Sequence, residues 1–245
     1  MPVKLFILGR PGSGKSTAYH HIHEYMELRY QHWSISRYID YEFLYAMYLR
    51  EKLFPVNNSP KQFRSTEFGG FDVLDFSVLD TALKKLEKQV RQNHYPLKDE
   101  LIVIEFARDD YKKALSQFSP SFLKDAYFLY INADLQTCIQ RVKNRVTGSS
   151  TIDNQDNHFV SEHILTRYYG KQTVLPDLKK DLHLPTGKRK LKIINSRGLL
   201  PDFHVKVEKF ISALLSHEEA LAHPQITPKV VTPLWVSPSH TIKLS

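Results

Sequence analysis

A glycine-rich stretch near the start of the chain has the residue spacing of a phosphate-binding loop. Gly9, four further residues, and then Gly14, Lys15 and Ser16 match the pattern G-x-x-x-x-G-K-[ST]. Backbone N–H groups of such a loop surround phosphate oxygens, and the following helix adds its positive N-terminal end. We expect Lys15 to reach the β- and γ-phosphates and the Ser16 hydroxyl to bind Mg²⁺. The predicted nucleoside triphosphate site comprises Gly9, Arg10, Pro11, Gly12, Ser13, Gly14, Lys15, Ser16 and Thr17.

The residues on either side of this loop are those that the motif requires. The apolar run VKLFIL precedes the loop and is typical of a buried strand, and the residues from Ser16 onward are typical of a helix. A strand, a loop and a helix in this order are the structural context of phosphate-binding loops. A glycine-rich turn with a chance lysine is the alternative interpretation.

Charged side chains follow two other predicted strands and are candidates for catalysis. Glu105 ends the run ELIVIE and is predicted to hold Mg²⁺, directly or through water, while Arg108 is placed to meet an acceptor phosphate or the transferred group. An ordinary ion pair between Glu105 and Arg108 at a helix start is the alternative interpretation. Asp40 follows the second strand and is a candidate base for a substrate hydroxyl, although a helix N-cap has the same sequence signature.

Three arginines later in the chain are further candidates to contact phosphates. Arg141 and Arg145 are four residues apart, so they share one face of a predicted helix and can approach the phosphates from the same side. Arg167 lies in a predicted helical segment and is a candidate cation of a closing flap that binds substrate. Pairs of surface arginines are also common on helices.

Two further residues are candidates for binding the acceptor. Arg64 precedes the pair Gly69-Gly70 in a stretch with several phenylalanines, and Tyr41 offers a stacking surface beside Asp40. A hydrophobic loop that folds onto the long helix after it explains the stretch around Arg64 as well.

Composition limits the class of protein. The chain has 245 residues, 42% of them hydrophobic and 24% charged, which is ordinary for a globular protein. Its net charge of +8 suits acidic ligands such as nucleotides, and a nucleic-acid partner is not expected. A single cysteine excludes an internal disulfide, and no apolar run has membrane-spanning length. We therefore expect a cytoplasmic protein without a membrane partner, and a homodimer is left open.

The alternation of predicted strands and helices indicates an α/β fold. It favours a mostly parallel sheet of five strands between two layers of helices, an α/β/α arrangement with its ligands at the carboxyl ends of the strands. We expect one domain over residues 1–215, with a small lid at about 146–170. Residues 216–245 are rich in proline and are predicted to form an extension.

The sequence as a whole resembles the P-loop kinases of small molecules, the group that includes nucleoside monophosphate kinases and deoxynucleoside kinases. The resemblance covers roughly residues 3–215 and implies the sheet order 2-3-1-4-5, with the phosphate loop after the central strand. The stretches that carry it are GRPGSGKST, IEFAR, YINADLQTCIQRVKNR and IINSRGLLPDFHVKVEKFI.

What the resemblance implies is phosphoryl transfer from ATP with Mg²⁺. Arg141 and Arg145 would then clamp phosphates from the lid side, and Asn195 and Arg197 would border the adenine. The acceptor expected first is a nucleoside monophosphate, and the alternative is a nucleoside or another small hydroxyl compound. A nucleotide-driven switch or a binding module without kinase activity is the alternative from a different class.

Overall fold

The computed structural model of the chain describes five stretches of residues, and the elements named below lie in these stretches. Residues 148–158 of the predicted lid and residues 223–245 of the proline-rich extension lie outside these stretches. The described residues are 2–67, 70–93, 99–147, 159–170 and 191–222.

Strands and helices alternate along most of the described chain, as the sequence predicts. The strands are β1 (Val3–Leu8), β2 (Ser34–Ile39), β3 (Phe63–Ser65), β4 (Phe71–Val73), β5 (Glu100–Phe106), β6 (Tyr127–Asn132) and β7 (Leu191–Asn195). The helices are α1 (Lys15–Arg29), α2 (Asp40–Leu53), α3 (Ser77–Asn93), α4 (Tyr111–Leu115), α5 (Pro120–Leu123), α6 (Leu135–Thr147), α7 (Glu162–Arg167) and α8 (Leu200–Ala222).

The main sheet has five parallel strands in the order β2-β5-β1-β6-β7. Counted within this sheet alone, the order is 2-3-1-4-5, so the predicted fold class and strand order are confirmed. Strands β1, β5 and β6 are buried on both faces because helices cover the sheet on each side, which explains their almost continuous apolar sequence. The phosphate-loop sequence therefore follows the central strand, at the carboxyl edge of the sheet.

Separate apolar clusters fill the two sides of the sheet. On one side, α1 and α8 bury Ile22, Met26 and Ile211 against the inward side chains of β1 and β6. On the other side, α3 buries Leu83 and Leu86 against the opposite face of the same sheet. Both layers hold the carboxyl ends of the strands at one edge.

A small antiparallel hairpin was not predicted. Strands β3 and β4 pair within the stretch that the sequence suggests is a loop, and α3 then begins at Ser77. Phe63 and Phe71 of the hairpin pack against Tyr48 of α2, with 4.8 Å between the ring centres of Phe71 and Tyr48. The alternative for this stretch is a hydrophobic loop folded onto the long helix, and Phe63 and Phe71 also cluster with Val78 and Leu79 of that helix, α3.

The last helix runs beyond the predicted end of the domain. Helix α8 continues past Leu215 to Ala222, and the Trp33 indole donates a hydrogen bond of 3.1 Å to Glu219. The predicted division of the chain at residue 215 thus lies inside a helix. Within the described stretches, every helix is too short or too polar to cross a bilayer.

Candidate functional site

The loop between β1 and α1 approaches its neighbours so closely that two of its positions require glycine. The φ angles of Gly9 and Gly12 are +148° and +78°, which side chains with a Cβ rarely adopt. A Cβ on Gly9 would lie 2.6 Å from the Ile131 carbonyl, and one on Gly12 would lie 2.5 Å from the Cys138 carbonyl. The loop is therefore packed against the end of β6 and the start of α6.

The loop lysine is buried at the floor of a cleft. Helix α1 begins at Lys15, whose Nζ donates a hydrogen bond of 3.1 Å to the Arg10 carbonyl and lies 4.0 Å from a Glu105 oxygen. Burial lowers the pKa of Lys15, against the attraction of Glu105. The positive end of α1 and this ammonium group thus point into the same concavity, as a triphosphate requires.

The two residues predicted to bind Mg²⁺ converge on one atom of a third residue. Nη2 of Arg37 on β2 donates hydrogen bonds to the Ser16 hydroxyl at 3.1 Å and to the Glu105 carboxylate at 2.7 Å. Sequence reasoning missed Arg37, because only the pairing of β2 with β5 brings it near Glu105. A charged residue inside a strand of a parallel sheet is the signal that was available.

The donor set around Arg37 fits Mg²⁺. A hydroxyl and a carboxylate that face one point supply the oxygen ligands this ion prefers, and Mg²⁺ ordinarily completes its shell with water and phosphate oxygens. The part of the chain that the structure describes holds no group of three His, Cys, Asp or Glu side chains that would suit another metal. Ser16 and Glu105 would therefore hold the ion that accompanies ATP.

Asp40 and Arg108 form a buried ion pair on the wall of the same cleft. Nη1 of Arg108 lies 2.6 Å from Asp40 Oδ2 and donates to the Ala107 carbonyl, and Nη2 donates to the Leu79 carbonyl at 2.8 Å. Burial raises the pKa of Asp40, against the lowering effect of Arg108. Asp40 is the first residue of α2, whose cap is Ile39, so Asp40 does not serve as the N-cap.

The two arginines of α6 lie in different places. Arg141 donates to the Ser13 carbonyl at 3.2 Å and to the hydroxyl and carbonyl of Ser196 at 3.0 and 2.9 Å. It therefore joins the phosphate loop to the segment after β7. Arg145 lines the cleft with Lys15 and lies close enough to lower the pKa of that lysine, an effect smaller than that of burial.

Arg10 connects the phosphate loop to the chain that follows α7. Its Nε donates to the Tyr169 carbonyl at 2.9 Å, and its Nη1 donates to the Ala133 carbonyl at 3.0 Å. The side chain is buried, so these bonds are shielded from water. The Arg10 side chain thus fixes the phosphate loop to the segments that follow β6 and α7.

The cleft widens from the phosphate loop into an aromatic chamber. It encloses about 990 Å³, part of it open to solvent, and Lys15 and Asp40 both line it. Tyr41 stacks on Phe71 with 5.7 Å between ring centres, and Phe76 stacks on Tyr168 at 4.3 Å. The aromatic side chains that line the chamber are Tyr41, Phe71, Phe76, Phe106, Tyr168 and Tyr169.

The predicted substrate residues Arg64 and Arg167 lie away from the cleft lining. Arg64 is mainly exposed and donates a hydrogen bond of 2.8 Å to the Asp72 carboxylate. Asp72 is 1% exposed and lines the chamber. Asp72 also accepts from the backbone and hydroxyl of Ser161, so it fastens the β3–β4 hairpin to the start of α7. Arg167 is exposed on α7. Asp72 gave no sequence signal, because its partners come from distant segments.

The residues predicted to border the adenine line a second cleft, beside the phosphate loop. This cleft has a volume of about 610 Å³, part of it open to solvent, and Arg10, Asn195 and Arg197 are among its walls. The Arg197 guanidinium donates to Asp134 at 2.9 Å, and the Arg197 backbone donates to the Asn195 side chain at 2.9 Å. A nucleotide base at this place stays a prediction.

Comparisons with known proteins bear on the fold. No family model matches the chain, and no curated protein matches it. Among solved structures, the chain is similar to a gluconokinase from Sinorhizobium meliloti 1021, at 13% identity and a TM-score of 0.47, with 91% of this chain and 98% of that one covered. It is also similar to the tunicamycin resistance protein of Deinococcus radiodurans, at 15% identity, a TM-score of 0.45 and coverage of 88% and 96%.

A third similar structure is a shikimate kinase from Acinetobacter baumannii in complex with shikimate, at 14% identity, a TM-score of 0.42 and coverage of 89% and 96%. Likenesses of this degree assign neither a family nor a substrate to this chain. The sheet order and the loop after the central strand are features of the chain itself. They give it an α/β fold in which helices cover both faces of a five-stranded parallel sheet.

Proposed function

We propose that the protein transfers the γ-phosphoryl group of Mg·ATP to a hydroxyl group of a small molecule bound beside Asp40. One observation carries this proposal: the buried lysine of the phosphate loop and a buried carboxylate line the same cleft. A nucleotide held at Lys15 and an acceptor held at Asp40 would therefore meet inside one cleft.

The donor end of the cleft supports a triphosphate. Backbone N–H groups of the loop, the start of α1 and the ammonium group of Lys15 supply positive charge where the phosphates would lie. Arg145 is a further cation that lines the cleft. Mg²⁺ bound by Ser16 and Glu105 would neutralise charge on the phosphate oxygens.

The acceptor end favours a hydroxyl group over a phosphate. Of the cations that the sequence suggests for an acceptor phosphate, Arg108 is held by Asp40 and two carbonyls, and Arg64 is held by Asp72. The chamber wall beside them is aromatic. This arrangement suits an uncharged acceptor with apolar surface and one hydroxyl near Asp40, which was the alternative to a nucleoside monophosphate in the sequence analysis.

Asp40 has the properties of a base for this reaction. The acceptor oxygen attacks the γ-phosphorus, the bond from that phosphorus to the ADP oxygen breaks, and the hydroxyl proton passes to Asp40. The raised pKa of Asp40, caused by burial, makes its carboxylate a better proton acceptor than an exposed one. Arg108 orients this carboxylate, and Lys15 stabilises the charge on the departing ADP. The aromatic wall limits water, which would otherwise hydrolyse ATP.

A nucleoside monophosphate acceptor is the second candidate. Arg145 lines the cleft beside Lys15, so a cation is present that can meet an acceptor phosphate as well as ATP. The phosphoryl group would then pass to an oxygen of that phosphate, and Asp40 would have no proton to accept.

The test is a transfer assay with ATP labelled at the γ-phosphorus. The acceptor panel contains nucleosides, nucleoside monophosphates and unrelated hydroxyl metabolites, and the Lys15→Ala variant serves as the control. Label on a hydroxyl compound supports the proposal, and label on a monophosphate supports the second candidate. Tight ATP binding with no transfer to any acceptor would contradict both and favour a switch or a binding module.

A further inference from the structure

Arg37 occupies the point at which the predicted metal ligands converge. A single nitrogen, Nη2, lies 3.1 Å from the Ser16 hydroxyl and 2.7 Å from Glu105 Oε2. The side chain lines the same cleft as Lys15 and Asp40 and is mostly buried. A metal ion bound between Ser16 and Glu105 cannot share this space with the guanidinium nitrogen.

We propose that Arg37 is a built-in competitor of the metal ion, which holds Ser16 and Glu105 in place until Mg·ATP displaces it from them. This inference rests on the proposed function, because it takes Mg·ATP as the ligand of the loop. Arg37 is a positioning residue in this account. Its cation substitutes for the ion in the nucleotide-free protein and gives way when a phosphate-bound ion arrives.

Electrostatics explains why Glu105 needs a cation before the metal arrives. Its carboxylate is buried, and a buried charge without a partner is costly. Oε2 contacts Arg37 at 2.7 Å, whereas Oε1 lies 4.0 Å from Lys15, so Arg37 is the closer cation. Like charges repel at short range, so Arg37 and a divalent ion exclude each other from this carboxylate.

The displaced side chain has a second contact within the protein. The guanidinium carbon of Arg37 lies 4.5 Å from the ring centre of Tyr19 on α1. A cation over an aromatic ring at this distance is attracted to it. Release of Ser16 and Glu105 therefore does not require Arg37 to leave the contact with Tyr19.

The competition predicts effects of opposite sign with and without metal. In the Arg37→Gln variant the competitor is gone, so the imido analogue of ATP should bind roughly three to ten times more tightly in the presence of Mn²⁺, the range expected for one ion pair. Without metal, the same analogue should bind more weakly than to the wild type, because a cation that attracts its phosphates has been removed.

The measurement is a titration of the purified full chain in two arms. The imido analogue is titrated by calorimetry with EDTA or with Mn²⁺, and electron paramagnetic resonance follows the free Mn²⁺. Arg91→Gln is the matched control, since Arg91 is an exposed partner of Glu87 on α3 and its loss removes the same charge. Thermal denaturation of each variant verifies that it is folded.

The outcomes separate the two claims. Opposite signs in the two arms support the role of Arg37, whereas weaker binding in both arms, or no change with Mn²⁺, overturns it and leaves the proposed function standing. Failure of the wild-type protein to bind the analogue in either arm would overturn the proposed function and the inference together. The Arg37→Lys variant retains the charge, so its metal-free affinity should remain close to that of the wild type.

Discussion

The two ends of the cleft are built in different ways. The phosphate end is formed by consecutive residues, in which backbone groups, two strained glycines and the start of α1 create the concavity. The acceptor end is assembled from side chains of α2, the β3–β4 hairpin, α3, β5 and the segment after α7. Local backbone geometry thus supports a general reaction, while contacts between distant segments determine which acceptor fits.

The two ends of the cleft should differ in how well they tolerate amino-acid substitutions. The loop tolerates little change, because a Cβ at Gly9 or Gly12 would lie within 2.6 Å of a backbone oxygen. The aromatic chamber consists of side chains whose replacement alters shape and polarity without touching the loop. Substitutions at the two ends should therefore separate the chemical step from acceptor recognition.

The largest expected effect belongs to the phosphate end. Lys15→Ala should lower kcat by at least about 10²–10³-fold, because the cation that stabilises charge on the phosphates is lost. The variant should not lose stability, since burial already disfavours the charged form of Lys15. Transfer rates and thermal denaturation measure the two effects. A turnover rate equal to that of the wild type would remove Lys15 from the site.

At the acceptor end, Asp40→Asn should lower kcat by about 10²–10⁴-fold while leaving ATP affinity near its wild-type value, because the proton acceptor is lost and the phosphate loop is unchanged. Nucleotide binding by calorimetry and turnover with the acceptor measure this separation. An equal loss in both quantities would show that Asp40 supports the whole cleft.

The pH dependence of kcat tests whether Asp40 is the base. Burial raises its pKa, and the base must be ionised to act, so kcat of the wild type should fall on the acid side at a higher pH than an ordinary carboxyl would give. The residual activity of Asp40→Asn should lack this acid limb. If the limb persists in the variant, another group is the base.

Replacement of Arg108 should affect the stability of the fold, unlike the replacements of Lys15 and Asp40, which should affect turnover. Arg108→Met should lower the free energy of unfolding by about 3–5 kcal/mol, since it leaves the buried Asp40 carboxylate without its partner. Denaturant titration measures this loss. The double variant with Asp40→Asn should recover part of it, and a strictly additive loss would show that the two residues are not coupled.

The smallest expected effect concerns the aromatic wall. Phe76→Ala should raise KM for the acceptor roughly two- to tenfold and leave KM for ATP unchanged, because it removes one of the rings that stack over the chamber. Phe76 is 37% exposed, so the fold should tolerate the change. Phe54→Ala is the matched control, since Phe54 is 73% exposed and lies outside the cleft. A similar change in KM for both substrates would contradict the division between the two ends.

Features formed by consecutive residues could be predicted from the sequence, whereas contacts between distant segments could not. Strands β1, β5 and β6 and the phosphate loop were predictable, since buried parallel strands are apolar runs and the loop is a contiguous motif. The edge strands β2 and β7 are less buried and show a weaker pattern. The three-residue strands of the hairpin are too short to show a period of two. Arg37 and Glu105 are 68 residues apart, and Arg64 meets Asp72 across the hairpin. These pairings arise only when the chain folds.

The most direct test of the central claim is the phosphorus NMR spectrum of the product, recorded after turnover of Mg·ATP with the acceptor that the panel identifies. We expect a new phosphomonoester signal beside those of ADP, because we propose that the acceptor group at Asp40 is a hydroxyl. That signal should be missing with Lys15→Ala. A new diphosphate signal from an acceptor phosphate would contradict the account of the acceptor end, and inorganic phosphate alone would contradict the proposed transfer.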